Sequence, residues 1–482
     1  MTCRLAAFAA GIALLVLAGC GGHKKGTHAE QPRFASFQSR PDLQPPTVLV
    51  EKRTADVSPG YIFFAPKKKV RQRGPLIVDD AGHVLWFHPL HLGATDFRVQ
   101  RYRGRPVLTW WQGISHVGIG HGDYVIMDNS YRQIATVHAG NGLAGDEHEF
   151  LLTAQGTALI TAYRPVSGDL SSVGGPTDGL ILDSVLQEVD VATGRVIFEW
   201  HSLGHVGLHE SYWQLKRVKG KYPPYDYFHI NSIDVEPDGN LLISARNTHA
   251  LYEVDRRSGK VLWRLGGKKS DFKMGPGAQF SWQHDARRQS DGTISVFDDG
   301  AFPKVEDHSR ALVLSVDTAK KRVILVRAYV SPDKLLSKHQ GNMQVLPDGH
   351  VFVGWGSEPY FTEFAPDGTV VFNARFGENM DSYRAYRLPW VGRPVDKPAL
   401  VIEERGEHPT ACVSWNGATE LARWRLLGGS SRASLKKVAE TTKKDFETAV
   451  PLPKGTRFAA VQALDAGNRV LAMSKTVELR RP

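Results

Sequence analysis

The stretch SIDVEPDGNLLISAR, residues 232–246, decides the fold: an apolar run, a turn closed by Asp238-Gly239, then a second apolar run. Asp-Gly between alternating apolar segments is a hairpin signal. The same grammar recurs at PLIVDDAGHVLWF (75–87), EFLLTAQGTALITAY (149–163), ARRQSDGTISVFDD (286–299), NMQVLPDGHVFVGWG (342–356) and TEFAPDGTVVFNARF (362–376). A second type of segment closes the units: QEVDVATGRVIFEW (187–200), YEVDRRSGKVLWRL (252–265) and LSVDTAKKRVILVR (314–327). Two hairpins make a four-stranded blade, and blades repeated around an axis make a propeller. An all-β, six-bladed β-propeller is therefore expected over residues 47–396, at the usual size of a blade. The 47 glycines, 27 prolines and 10% aromatic residues of the 482-residue chain suit a turn-rich β protein.

Aligning the units on their turn glycines, Gly156, Gly239, Gly292 and Gly349, brings out a second pattern. Eight positions earlier stand His148, Asn231, His284 and Gly341; ten positions earlier stand Asp146, His229, Trp282 and His339. Residues two apart on a strand share a face. The first strand of each blade lines the axis of a propeller, so His148, His229, His284 and His339 are expected to face one central channel. A lone histidine is more often structural than functional, but four at equivalent positions point to a pocket. Arg246, seven residues after Gly239, offers a planar donor fork for an oxyanion, where the plain alternative is an exposed strand-end arginine. Tyr163, Trp111 and Tyr227 are candidate flat walls for an aromatic ring, or ordinary core.

The two ends of the chain differ from this body. Arg4 followed by the apolar run Leu5 to Ala18 is too short to span a bilayer and reads as an export signal over residues 1–19. Leu17-Ala18-Gly19-Cys20 resembles a bacterial lipoprotein cleavage site, which makes Cys20 the expected lipid anchor. Residues 20–46 read as a flexible polar tether. Cys412, between apolar residues, reads as a buried unpaired thiol. Residues 399–482 carry short alternating strands, as in TACVSWNG (410–417), ELARWRLL (420–427) and FAAVQALD (458–465). A small C-terminal β-sandwich of fibronectin-III or immunoglobulin type is expected there, with Val413, Trp415, Trp424 and Val461 in its core and a stabilising cap as its plain role.

The motifs FHINSID (228–234), ISAR (243–246), WQHDAR (282–287) and FDDG (297–300) resemble, in order, the channel motifs of bacterial arylsulfotransferases, and EHEF (147–150) resembles that family's earlier histidine motif. The resemblance implies a six-bladed propeller that moves a sulfuryl group from a phenolic sulfate ester to another phenol. It also implies a sulfohistidine intermediate and no adenylylated sulfate donor. Carried over by motif, His284 stands for the nucleophile, His229 and Asn231 for the H-x-N pair, Arg246 for the catalytic arginine and His148 for the remaining channel histidine. Trp282, Tyr163 and His339 are added as candidate substrate-binding residues, His339 without a family counterpart. Arg287 follows where an aromatic residue is common in the family, and no N-terminal sandwich precedes the repeats.

Neutral imidazole is a competent nucleophile near neutral pH, and a covalent intermediate divides one hard transfer into two easier ones. The chemistry calls for no metal and no organic cofactor. A formylglycine sulfatase would need a Cys/Ser-x-Pro-x-Arg signature and a nucleotide-sulfate enzyme a phosphate loop; the sequence carries neither. The expected partners are an aryl sulfate and a phenolic acceptor, with no nucleic acid despite the formal charge of +10, and the membrane through Cys20. The rival reading is a non-catalytic propeller on the cell surface that binds a ligand or partner.

Overall fold

The computed structural model describes residues 33–404 and 409–479. The expected signal sequence and Cys20 lie outside the described residues. The described chain is all-β, with two 3-10 turns, Ser171–Val173 and Leu208–Glu210, and no α-helix among the described residues. Each turn glycine of the alignment, Gly156, Gly239, Gly292 and Gly349, sits at φ between 79° and 90°. A side chain is strained in that left-handed region, which is why glycine closes these hairpins.

The repeats form antiparallel sheets whose first strands are neighbours in a closed cycle. Gly93–Tyr102 lies beside Gly145–Leu152, then follow Ile230–Val235, His284–Arg288, Asn342–Val345 and Ala385–Leu388, which returns to Gly93–Tyr102. Closure joins the two ends of the repeat region. Leu49–Arg53 pairs with Val370–Arg375, and Tyr61–Phe64 pairs with Ala385–Leu388. The sheets that begin with Gly93–Tyr102 and Gly145–Leu152 are continuous through one pairing, Gly122 with Gly145. No side chain fits there, since a Cβ on Gly122 would come within 2.1 Å of the Gln112 carbonyl oxygen.

Apolar residues bury between neighbouring sheets rather than in one central core. Leu159, Leu186 and Trp200 pack on Ile233, Ile243 and Tyr252, and Leu242, Leu251 and Trp263 pack on Val296, Leu312 and Leu314. This leaves the ends of the first strands to polar residues.

Residues 33–46 depart from the tether reading. Phe34 bridges to Pro46, Leu43 is fully buried, and Phe37 packs on Phe446 with ring centroids 4.2 Å apart. The Ser39 amide donates to Glu447 at 2.5 Å. A proline-rich polar composition suggested a linker, but its three large apolar residues are enough to seat it.

The C-terminal residues form two antiparallel sheets that share one apolar cluster. Ala399–Glu403, Thr410–Ser414 and Glu447–Pro451 make the first; the second is built on Lys436–Thr442, Arg423–Gly429, Phe458–Leu464 and Val470–Met473. Val413, Trp424 and Val461 are buried, whereas Trp415 is only partly buried and donates its Nε1–H to the Asp396 carbonyl at 2.6 Å. Asn416 docks this part on the repeats, accepting from the Phe87 amide and donating to the Phe87 carbonyl, each at 3.0 Å. The Cys412 thiol is free and buried, and burial raises it to about 11.

Candidate active site

His148, His229 and His284 meet around the ring of Tyr383. The His148 and His229 rings lie 4.7 Å apart, and Tyr383 lies 5.6 Å from His148 and 6.2 Å from His284. Tyr163 closes another side, 6.5 Å from His148 and 6.3 Å from His229. His229 has φ +58° and Trp282 φ +57°, so the period-2 alternation of a plain strand is interrupted just before Ile230 and His284.

Each histidine is oriented by a carboxylate. His284 donates Nδ1–H to Asp299 at 2.7 Å, and its Nε2 accepts the Gln340 amide at 3.3 Å. The lone pair is therefore on Nε2. Burial, with the positive field of Arg246, holds His284 well below the usual imidazole range, so it is neutral at pH 7. Burial also raises Asp299 well above the carboxylate range while Arg246 pulls it down. With Nε2 already accepting, Nδ1 is the donor and Asp299 the acceptor. His148 behaves in the opposite way. Burial disfavours its charge, but Asp146, 2.5 Å from Nδ1, and the nearby Glu147 and Asp226 outweigh burial and raise its pKa. His229 pairs through Nδ1 with Asp226 and is lowered by burial, against Asp226 and with His148 and Arg246.

Arg246 is partly buried. Its guanidinium lies 4.8 Å over the Trp282 ring and donates to Asn247 Oδ1 at 3.0 Å and to the Lys338 carbonyl at 3.2 Å. Its Nε finds no partner. Neither do the buried Tyr163 hydroxyl, Asp226 Oδ1, Asn231 Oδ1, Asp299 Oδ1 and Gln340 Oε1. Buried polar atoms are nearly always paired, so each of these unpaired atoms has capacity for a further hydrogen bond.

The other sequence candidates take supporting positions. Asn231 donates Nδ2–H to the Gln283 carbonyl at 2.7 Å, which fixes the backbone just before His284. Trp282 lies behind Arg246, with its Nε1–H on the Pro303 carbonyl at 2.8 Å. His339 bonds the Gln340 amide group at 2.7 Å and is lowered to about 3 by burial and by Lys68 and Lys67. Of the aromatic candidates, Trp111 and Tyr227 are core, in the apolar clusters between sheets.

Several site residues lay beyond sequence reasoning. Asp146 and Asp226 orient His148 and His229, and the Asp-x-His and Asp-x-x-His spacings were the available signal. Asp299 stands in the FDDG motif. Tyr383 falls outside the repeats. Lys67 also falls outside the repeats, and its ammonium lies 5.9 Å over the Tyr383 ring and 3.6 Å from Glu147.

Comparison with known proteins agrees with the motifs. The arylsulfotransferase (ASST) family model matches residues 98–377, and the chain belongs to that family. No curated protein matches it. Among solved structures it is similar to a protein of unknown function from Bacteroides caccae, with 13% identity, 68% of this chain and 98% of that chain covered, and TM-score 0.41. A catalytically inactive virginiamycin B lyase from Staphylococcus aureus with quinupristin has 8% identity over 76% of this chain and 95% of that chain, TM-score 0.34. The extracellular domain of a hybrid two-component system from B. thetaiotaomicron has 10% identity over 90% and 57%, TM-score 0.36.

Proposed function

We propose that the protein is a PAPS-independent aryl-sulfate sulfotransferase that works through a sulfohistidine on His284, in a six-bladed propeller capped by a C-terminal β-sandwich of fibronectin-III or immunoglobulin type. The closed cycle of first strands supports the propeller, and the two sheets around one apolar cluster support the sandwich. The observation that carries the chemistry is the state of His284: neutral under the positive field of Arg246, with its Nδ1–H donated to Asp299 and its lone pair on Nε2.

In this mechanism His284 Nε2 attacks the sulfur of an aryl sulfate. The sulfur–oxygen ester bond breaks, and its electron pair leaves on the phenolic oxygen. His148, charged beside Asp146, gives that oxygen a proton, with His229 alongside. The sulfuryl oxygens, over which charge spreads in the transition state, lie against the Arg246 guanidinium. A second phenol then enters, gives its proton to His148 and takes the sulfuryl group from Nε2. Every step uses side chains of the protein.

The test is a single-turnover experiment with a chromogenic aryl sulfate and no acceptor. About one equivalent of phenol should be released per protein, with an acid-labile sulfuryl adduct on His284, and added phenol should restart turnover with ping-pong kinetics. His284→Ala should lose both burst and adduct. An adduct on another histidine, or full activity in His284→Ala, refutes the assignment; no turnover of any aryl sulfate favours the ligand-binding propeller.

The reading also places the protein on the outer face of the cell membrane, held by a lipid on Cys20. The lipoprotein-like site before Cys20 supports it. Cys20→Ser should move the protein from the membrane fraction to the soluble one, and unchanged retention would count against the anchor.

A further inference from the structure

The opening above the histidines has an apolar rim that folding does not explain. Strands Arg105–His116 and Ile119–Met127 pair down to His116 and Ile119, which leaves Val117-Gly118 as a two-residue turn. Both turn residues are left-handed, at φ +52° and +78°. Asn-Gly is the usual choice for such a turn, and a β-branched residue is among the worst. Val117 buries nothing in return, since it is 101% exposed. An unfavourable conformation kept by a residue without contacts points to a role outside folding.

The position of the turn says which role. A Cβ on Gly118 would lie 3.6 Å from the His229 ring, so Val117 stands at the edge of the histidine cluster. Two other loops reach the same opening. The Phe302 carbonyl accepts from Arg246 at 3.5 Å, and Trp213 meets the Trp282 ring edge-on at 6.1 Å, the ring on which Arg246 lies. All three loops present apolar side chains to solvent: Ile114 is 54% exposed, Phe302 and Val305 each 58%, and Trp213 38%. Single exposed apolar residues are ordinary; several on three loops around one site make a patch with a partner.

We infer that this rim holds the apolar tail of an amphiphilic phenol, so that the favoured substrates of the site are tail-bearing phenols and their sulfates rather than small ones. The inference rests on the sulfuryl-transfer reading for the direction in which the substrate lies. A phenol whose oxygen faces His284 Nε2 turns the far edge of its ring away from the histidines, toward the opening beside the Val117-Gly118 turn. A substituent on that edge leaves through the opening and crosses Val117, Phe302 and Val305. A tail that crosses these residues meets their exposed apolar side chains. Burying that surface under a tail is favourable per methylene, whatever chemistry follows below.

The variant Ile114→Thr/Val117→Asn/Val305→Ser removes the rim without touching the histidines or Arg246. Asparagine also suits the left-handed position better than valine. Binding of phenol and of 4-ethyl-, 4-butyl- and 4-hexylphenol is measured by calorimetry without donor, and the same phenols are then assayed as acceptors. In the wild type, Kd and KM should fall about twofold per methylene, half of the roughly fourfold that full burial of a methylene gives, with kcat flat. In the variant this dependence should nearly vanish while the values for phenol itself stay within about twofold. Binding that does not change with chain length in the wild type, or a chain-length dependence kept by the variant, overturns the inference. Tail-dependent binding without transfer from any aryl sulfate would instead overturn the sulfuryl-transfer reading and leave the tail site standing.

Discussion

Arg384, fully buried, and Arg246, partly buried, both lie near the first strands, and their surroundings differ in kind. Arg384 is fully buried and faces Asp96 at 2.8 Å, Glu149 at 3.2 Å and Asp285 at 3.2 Å. Arg98 and Arg287 join it, each 2.6 Å from Glu149, so that every carboxylate of the cluster faces at least two guanidiniums. Among the described residues, Arg246 has only carbonyl and amide oxygens as its hydrogen-bond partners. Burial works to lower both. For Arg384 the carboxylates outweigh it and raise the pKa well above the usual value; for Arg246 burial prevails over Asp299 and Asp226 and the pKa falls. The two clusters occupy consecutive residues: His148 and Glu149, His284 and Asp285, Tyr383 and Arg384. One member of each pair belongs to the histidine site, and the next is locked into an ion network. The network meets each guanidinium with a carboxylate, whereas the Arg246 guanidinium is met by neutral oxygens.

The same substitution in the two places breaks that comparison if it is wrong. Arg384→Met leaves buried carboxylates without their cation and should destabilise the fold by about 3–5 kcal/mol, read from denaturant unfolding. Arg246→Met removes a cation that no carboxylate contacts and should change stability by less than about 1 kcal/mol. It should nonetheless slow transfer from the aryl sulfate by about two to three powers of ten, the loss that follows removal of one oxyanion donor. Equal destabilisation by both substitutions would mean that Arg246 is structural.

The same contrast explains what was legible in the sequence. Hairpin turns are local, so the glycines at 156, 239, 292 and 349 announced their units, and alignment on them picked out His148, His229 and His284. The ion network is long-range: Arg384 meets Asp96 from 288 positions away, and no spacing rule links them. Arg287 was seen only as a departure from a family motif, and the structure places it in this network, against Glu149 and Asp285. Tyr383 and Lys67 lie outside the repeats and had no alignment partner. Residues 33–46 depart from the tether reading because composition reports polarity, whereas Leu43 is buried and Phe34 and Phe37 half-buried against distant surfaces.

The finest version of the comparison sets His148 against His284, two histidines of one pocket moved in opposite directions. His148 is raised because Asp146 and its neighbours outweigh burial; His284 is lowered because burial and Arg246 act together. A raised histidine keeps its proton as the pH climbs past the ordinary value of about 6.5 and loses it only at the higher folded pKa. If His148 protonates the leaving phenol, transfer from a poorly acidic phenol's sulfate is flat while His148 keeps its proton. It then falls on the alkaline side, about tenfold per pH unit once the folded pKa is passed. His284 stays neutral well below 6.5, so the acid limb that marks loss of the nucleophile is displaced to low pH. His148→Gln should abolish the alkaline limb, with a smaller loss for a nitrophenyl sulfate, whose phenolate leaves without a proton. Linkage gives a second readout with the same sign. The stability from the charged His148–Asp146 pair is complete below about 6.5 and is lost as pH rises through the raised folded pKa. The difference in Tm between wild type and His148→Gln should therefore shrink over the same pH window in which the activity falls. An alkaline limb that survives in His148→Gln would move the acid to His229.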